Sequence, residues 1–255
     1  MNWRSAVGSL STSLAFLTRI PLPSFLFRDH IAASSAAWGF PVVGLLIGVV
    51  QALALGLMVA LGLHSVVVAV LVMGGSIMLT GALHEDGLAD VADSLGGGTR
   101  ERKLDIMKDS RLGTFGVLAL VLMAAVKIAF LMSLADGVSW SLALGVLVGA
   151  SVVSRALMTV VWAVLPAASA QGLGSQRPSL VTGLVALAIG CAVLVALVPL
   201  AGMIILVGTL FAIITAVAFA LFARWQYGGV TGDVCGATQI LTELAFYAAA
   251  LSLMS

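Results

Sequence analysis

Three aspartates at helical spacing are the residues of this chain best suited to chemistry. Asp86, Asp90 and Asp93 follow an i, i+4, i+7 pattern, which places them on one narrow stripe of a helix. Carboxylates this close repel one another and are costly to desolvate, so the stripe persists most readily when a cation is bound to it. Oxygen ligands in this number favour Mg²⁺ or a similar divalent ion, especially one that also holds a phosphate. The alternative is a solvated acidic face at the end of a helix.

A second acidic segment follows after three consecutive glycines. Within 100–111, Asp105 and Asp109 are again four residues apart, and Lys108 and Arg111 lie close to them. Two acidic helices edged with basic residues are typical of a cradle for a metal ion and a phosphate. The same residues are equally consistent with ordinary surface ion pairs, which contribute little to stability. The spacing alone leaves both interpretations open.

The glycine-rich turn at 227–237 is a third candidate. Thr231 or Asp233 could cap the helix that follows. Free backbone N–H groups at the start of that helix, at Thr231 and Gly232, favour an anion such as phosphate. Asp233 could also complete the coordination shell of a metal ion. Capping and ligand binding both remain open from the residues alone.

The composition indicates the class of protein that carries these groups. The chain has 255 residues, of which 61% are hydrophobic and 9% are charged, with a mean hydropathy of +1.18. Soluble domains carry roughly 25% charged residues, so this chain is predicted to be an integral membrane protein. Twelve of its 23 charged side chains lie within 84–111. The net charge of +1 gives no indication of a nucleic-acid partner.

Apolar segments of about 20 residues, each long enough to cross a bilayer as a helix, recur along the chain. We predict an all-α, polytopic membrane protein with one catalytic domain over 1–255, a cytoplasmic acidic helical loop at 84–113 and an N-terminal segment on the membrane surface. The seven predicted spans lie near 38–62, 64–83, 114–135, 140–165, 180–199, 203–223 and 233–254.

The distribution of Lys and Arg predicts the orientation, because cytoplasmic loops carry an excess of both. With the N-terminus in the cytoplasm, ten of the twelve basic residues fall on that side. They lie in the N-terminal segment (Arg4, Arg19 and Arg28) and in the connections 84–113, 166–178 and 224–232. The acidic stripe and Asp233 then share one face of the membrane, although about 140 residues separate them, and the C-terminus lies outside.

Two basic residues fall inside predicted spans. Arg155 lies towards the cytoplasmic end of its helix, where it could reach a phosphate or an acidic ligand. Lys127 lies deeper, and its side chain could equally extend outward to the interface. A transporter that uses these two residues and the acidic mouth as an ion path is the alternative from another class. Transporters usually bind near the midplane between inverted repeats, whereas these charges gather at one face and no repeat is visible.

Five motifs together are similar to those of a known family. The chain resembles the cobalamin synthases, the adenosylcobinamide-GDP ribazoletransferase family, along nearly its whole length. The motifs occur in the family's order: FLTRIPLP (16–23), FPVVGLLIG (40–48), HEDGLADVAD (84–93), IMKDSRLGTFG (106–116) and GGVTGDVCGA (228–237).

The resemblance implies a multi-pass enzyme of the bacterial inner membrane with its active site on the cytoplasmic face. It would catalyse the last step of cobamide (vitamin B12) assembly by Mg²⁺-dependent phosphoryl transfer. A ribose hydroxyl of α-ribazole, or of its 5′-phosphate, attacks the phosphorus on the cobinamide side of adenosylcobinamide-GDP, and GMP leaves. The lipid bilayer is a further expected partner, and association into a homo-oligomer stays open.

The family motif also implies roles for individual residues. The key carboxylates, all candidate metal ligands, fall at Asp86, Asp90, Asp93, Asp105, Asp109 and Asp233. Asp86, Asp90 and Asp93 are expected to hold Mg²⁺. Asp109 or Asp233 would complete a second metal position or accept the hydroxyl proton, so that Asp86, Asp109 and Asp233 are the expected catalytic residues. Phosphate would be bound by Lys108, Arg111, Thr231, Gly232 and Arg155.

Three positions depart from the family pattern. Ser169 stands where an Arg is expected, Ile240 replaces the first of two glutamates in the last helix, and Ser94 stands where Gly is usual. A related rival is a CDP-alcohol phosphatidyltransferase, which also binds divalent metal through spaced aspartates at a membrane face. Its motif needs Ala-Arg shortly after Asp-Gly, and here Ala89 is followed by Asp90.

Overall fold

The computed structural model describes residues 3–27 and 31–254; Arg28, one of the predicted cytoplasmic residues, lies outside them. No β-strand occurs in the described part of the chain. The helices are α1 Trp3–Leu17, α2 Ala33–Ala36, α3 Phe40–Ala60, α4 Ser65–Thr80, α5 Leu83–Ser94, α6 Arg100–Ile106, α7 Thr114–Ala135, α8 Trp140–Val164, α9 Leu180–Tyr227 and α10 Gly232–Met254. Short 3₁₀ turns lie at Ser24–Phe27, Ala37–Gly39 and Leu173–Ser175.

The long helices are those of a membrane protein. Among the described residues, five helical segments are long and apolar enough to cross a bilayer: α7, α8, α9, α10, and α3 with the turns before it. A sixth results if α4 and α5 count as one broken span. Large apolar side chains of α7 and α9 are exposed, as expected of helices that face lipid. The predicted all-α polytopic architecture is confirmed.

The span predicted at 64–83 ends earlier than expected. Helix α4 stops at Thr80, because Gly81 and Ala82 both adopt left-handed backbone conformations, with φ of 66° and 58°. Glycine adopts this conformation without strain, and a side chain at Gly81 would also meet the side chain of Arg19. The chain then bends by 90° into α5. The acidic stripe therefore runs along a separate helix at the end of the bundle.

Helix α9 is one continuous assignment of 48 residues, but it contains a reversal at Gly202, where φ is 39° and ψ is −117°. Near its start, Gly183 packs against Ala163 at the end of α8. At its other end, the Tyr227 hydroxyl lies 2.9 Å from Ser94 Oγ. Both ends of α9 thus lie at the same end of the bundle, in agreement with two predicted spans that meet at 199–202.

Glycines let the helices of the core approach closely. Helix α8 is buried along nearly its whole length, and a Cβ on Gly48 of α3 would lie 2.6 Å from Cα of Val148. Such contacts between small residues are typical of helix packing in membranes. At the site itself, a Cβ on Gly87 of α5 would lie 3.2 Å from Cα of Gly236 in α10. This close contact fixes the acidic helix against the start of α10.

Candidate active site

Helices α5 and α10 bring three aspartates from distant parts of the chain together. A Cβ on Gly87 would lie 3.1 Å from Cα of Asp233, so Asp233 is adjacent to the helix that carries Asp86 and Asp90. Desolvation raises the pKa of Asp90 to about 7, and repulsion from Asp233, Asp86 and Asp93 adds to the effect. A carboxylate held among others in this way favours a bound cation.

Asp86 and Asp90 open into a polar cleft of about 300 Å³, here called the acidic cleft. Its other walls come from the connection between α6 and α7. The lining residues are Asp86, Asp90, Met107, Lys108, Asp109, Ser110, Arg111 and Leu112. Carboxylates on one wall and cations on the other suit a metal ion that is shared with a phosphate.

Asp109 is already neutralised by a neighbour. Arg111 binds it through both carboxylate oxygens, with Nε at 3.0 and 3.1 Å and Nη2 at 2.5 Å. Hydrogen bonds from the Arg111 side chain and backbone lower the pKa of Asp109 to about 2. A carboxylate of such low pKa is a poor acceptor for a hydroxyl proton. Asp109 is therefore better suited to holding Arg111 at the cleft than to proton transfer.

Asp93 binds backbone rather than facing the cleft. Its two carboxylate oxygens accept hydrogen bonds from Gly113 N, at 2.7 Å, and Gly116 N, at 2.8 Å. These amides belong to the start of α7, whose first N–H groups have no partner within the helix. Asp93 thus caps α7 from a distance and fastens it to α5. Its predicted role as a metal ligand stays a prediction.

Asp105 lies apart from the other carboxylates. It is exposed on α6, pairs with Lys108 at 3.9 Å and lines neither cleft of the site. Over residues 3–27 and 31–254, no group of three His, Cys, Asp or Glu side chains is close enough to hold a metal ion alone. Mg²⁺ in phosphoryl transfer usually takes one or two carboxylates, with waters and substrate phosphates as its other ligands. Two of the three aspartates Asp86, Asp90 and Asp233, completed by waters and a substrate phosphate, fit that kind of site.

A second cleft of about 420 Å³, here called the glycine cleft, adjoins the first across Met107 and Lys108. Thr231 and Gly232 lie in its wall, as does Asp233. Thr231 Oγ1 accepts a hydrogen bond from Val234 N at 3.1 Å, so the capping role predicted for Thr231 is confirmed. The full lining is Leu104, Met107, Lys108, Ser169, Gln171, Gly172, Leu173, Gly174, Val230, Thr231, Gly232 and Asp233.

Arg155 does not reach either cleft. It is 3% exposed inside the bundle, where Nη1 donates to Ser151 O at 3.1 Å and lies 3.7 Å from Glu243 Oε1. The phosphate contact predicted for it has no support in this geometry. Lys127 is also buried, with Nζ 2.7 Å from Glu243 Oε2 and 3.9 Å from Glu85 Oε1. The interpretation that Lys127 extends outward to the interface is wrong.

Comparison with known proteins identifies the family. The model of the family described as cobalamin-5-phosphate synthase matches residues 9–251, which is nearly the whole chain. The chain belongs to this family. No solved structure matches it.

Curated relatives match this chain over nearly their whole length. An adenosylcobinamide-GDP ribazoletransferase of Allorhizobium ampelinum is 42% identical, and one of Brucella ovis is 38% identical, each over 96% of both chains. A third, from Mesorhizobium japonicum, is 39% identical over 95% of this chain and 92% of its own. Neither the phosphatidyltransferase nor the transporter alternative is favoured by these matches.

Two positions that depart from the expected family pattern have clear places in the structure. Ser94 is buried and joins α5 to α9 through its contact with the Tyr227 hydroxyl. Ser169 lines the glycine cleft. The sequence reasoning missed the ion pairs of Glu85 and Glu243 inside the bundle. The available indication was Lys127 and Arg155 within predicted spans, since buried charges are almost always paired.

Proposed function

We propose that this protein is an adenosylcobinamide-GDP ribazoletransferase that completes cobamide assembly. It would join adenosylcobinamide-GDP to α-ribazole, or to its 5′-phosphate, and release GMP. The observation that carries the proposal is the convergence of Asp86, Asp90 and Asp233 in a chain whose full-length relatives bear this name. Carboxylates that meet beside two cations are what a diphosphate substrate needs.

The reaction is a displacement at phosphorus. A ribose hydroxyl oxygen bonds to the phosphorus next to cobinamide, and the bond from that phosphorus to the bridging oxygen breaks, so that GMP leaves with that oxygen. Negative charge grows on the bridging oxygen during the transfer. Lys108 and Arg111, which line the acidic cleft, can neutralise it. Mg²⁺ held by two of the aspartates Asp86, Asp90 and Asp233 would supply further neutralisation and align the diphosphate.

The attacking hydroxyl must lose its proton, and Asp233 is the best placed acceptor. The sequence offers two candidate proton acceptors, Asp109 and Asp233, and Asp109 is already paired with Arg111. Asp233 lines the glycine cleft and is adjacent to Asp86 and Asp90, so it lies between the two clefts. A hydroxyl that approaches from the glycine cleft therefore meets Asp233 before the diphosphate.

We place this site on the cytoplasmic face of the bacterial inner membrane. The three basic connections predicted to be cytoplasmic contact one another at one end of the bundle. Val230 N donates to Pro166 O at 2.8 Å, and Arg100 Nη2 donates to Ala168 O at 3.2 Å. Because these loops carry most of the Lys and Arg residues, the positive-inside rule supports a cytoplasmic location.

The direct experiment is turnover by the purified protein in lipid nanodiscs. With adenosylcobinamide-GDP, α-ribazole phosphate and Mg²⁺, we expect GMP release in step with formation of the joined product. Asp86→Asn should lose turnover while the protein stays folded. The matched control is Asp136→Asn at the far end of α7, which should retain turnover. No GMP release by the wild type, or full activity of Asp86→Asn, would refute the proposal.

A further inference from the structure

We propose that the glycine cleft binds the acceptor riboside, with the flat, largely apolar ring of its base against Leu173 and Met107. This inference rests on the proposed function, because that function supplies a riboside as the attacking substrate. It adds the place where this riboside binds and the side chains that select its base.

The two clefts differ in chemistry. The glycine cleft has three apolar side chains, Leu104, Met107 and Leu173, and two neutral polar ones, Ser169 and Gln171, beside the charged Lys108 and Asp233. The acidic cleft is lined mainly by charged and polar groups. A flat apolar ring gains most where it covers apolar side chains, whereas phosphates need cations. The glycine cleft therefore suits the base, and the acidic cleft suits the diphosphate.

The size of the glycine cleft fits a small ligand. Its volume of about 420 Å³ lies in the usual range of small-molecule sites, roughly 300–1,000 Å³. Such sites combine apolar walls with a few polar groups that fix orientation. Gln171 and Ser169 can provide those groups for the ribose hydroxyls or the ring nitrogen of the base.

The position of the glycine cleft also matches the direction of attack. Attacking and leaving oxygens lie roughly in line on opposite sides of the phosphorus. With the diphosphate over Asp86 and Asp90 beside Arg111, the leaving GMP occupies the acidic-cleft side. The acceptor must then come from the other side, past Asp233, which is the glycine cleft.

The walls of this cleft are fastened to one another. Ala168 N donates to Val230 O at 3.0 Å, which ties the loop after α8 to the turn before α10. A Cβ on Gly174 would overlap the backbone oxygen of Val230, so these two backbones are in contact. Thr231 Oγ1 lies 3.9 Å from Met107 Sδ, which joins the third wall. A cleft held in this way is formed before the ligand arrives, and preorganisation favours binding.

The test fills the cleft and measures each substrate separately. Leu173→Trp places a large ring where the base is proposed to lie. Leu112→Trp is the matched control, because it makes the same change in the acidic cleft. Equilibrium dialysis measures the binding of α-ribazole alone and of GMP alone, and steady-state assays give the KM for each substrate. A melting curve verifies the folding of each variant.

We expect Leu173→Trp to weaken α-ribazole binding and to raise its KM by at least about tenfold, as a clash in a pocket commonly does. Its KM for adenosylcobinamide-GDP should stay within about twofold, and Leu112→Trp should leave α-ribazole binding within the same limit. Leu173→Ala removes the wall without filling the cleft and should weaken α-ribazole binding by about three- to tenfold. This variant provides the test if Leu173→Trp does not fold.

Two results would overturn the inference. One is unchanged α-ribazole binding in both Leu173 variants; the other is selective loss of GMP binding, which would assign the cleft to guanosine. Both differ from failure of the proposed function, in which the wild type itself releases no GMP. Gln171→Ala against Gln176→Ala gives a second matched pair, since Gln176 is exposed on the same loop and lines neither cleft.

Discussion

Lys127 Nζ lies 2.7 Å from Glu243 Oε2 inside the bundle, where both side chains are less than a tenth exposed. The pair joins α7 to α10. Lys127 also lies 3.9 Å from Glu85, which precedes Asp86 on α5, and Glu243 lies 3.7 Å from Arg155 on α8. Two acids and two bases thus form a neutral network beneath the site. We infer that it fixes the acidic helix against the membrane helices.

The first prediction concerns this network. Lys127→Met should destabilise the protein by about 3–5 kcal/mol, because it leaves Glu85 without its cation and Glu243 with Arg155 alone. Glu243→Gln should also destabilise the protein. The double variant should lose less free energy of unfolding than the sum of the losses in the two single variants. Unfolding in mixed micelles measures all four proteins of the cycle. Additive losses would mean that the two side chains do not interact.

Asp93 gives a prediction that separates capping from metal binding. Asp93→Ala should lower stability by about 0.5–2 kcal/mol, since it removes the acceptor for two amides at the start of α7. Asp93→Asn keeps one acceptor oxygen and should lose less. Unfolding measured in EDTA checks this, because a metal ligand has no effect there. Unchanged stability of Asp93→Ala in EDTA would contradict the capping role.

Asp90 predicts a dependence of stability on pH in the metal-free protein. Its pKa is raised from about 3.8 to about 7, so the folded state holds this proton more tightly than the unfolded state. The contribution of Asp90 should therefore reduce stability progressively as pH rises from about 4 to about 7, and no further above that.

Asp90→Asn should remove that part of the pH dependence and melt higher than the wild type at pH 8 in EDTA. Added Mg²⁺ should raise the wild-type melting temperature at pH 8 more than that of the variant. Melting curves at several pH values measure both effects. A variant that follows the wild-type pH profile would show that Asp90 is not the group responsible.

The orientation can be tested with two single cysteines in a background without Cys191 and Cys235. Gly98 and Gly137 lie at opposite ends of the bundle, and each has open space around its Cβ position, so Cys should fit at both. An impermeant thiol reagent should label Gly137→Cys in intact cells, and Gly98→Cys only after permeabilisation. The reverse pattern would place the acidic helix outside the cell.

Much of the fold follows from the sequence, because apolar length and turn residues determine where membrane helices begin and end. The reversal at Gly202 lies at the predicted break between two spans. The bend after Thr80 is absent from the predicted span 64–83, because it depends on left-handed backbone at Gly81 and at Ala82, a conformation that alanine rarely adopts. Periodicity carries no information about such backbone conformations.

Only part of the site could be predicted from the sequence. Spacing identified Asp86 and Asp90, and the shared face of the membrane linked them to Asp233. It could not show that Asp93 binds the start of α7, because the same i+7 position serves a metal ion or a helix cap. The glycine cleft was also invisible in the sequence, since three separate segments form its walls.

The central claim is that aspartates from distant segments bind one divalent cation. Mn²⁺ binding, followed by electron paramagnetic resonance in nanodiscs, tests it most directly. Asp86→Asn and Asp233→Asn should each weaken Mn²⁺ binding by about tenfold or more, whereas Asp136→Asn should bind as the wild type does. Wild-type Mn²⁺ affinity in both Asp86→Asn and Asp233→Asn would contradict the account.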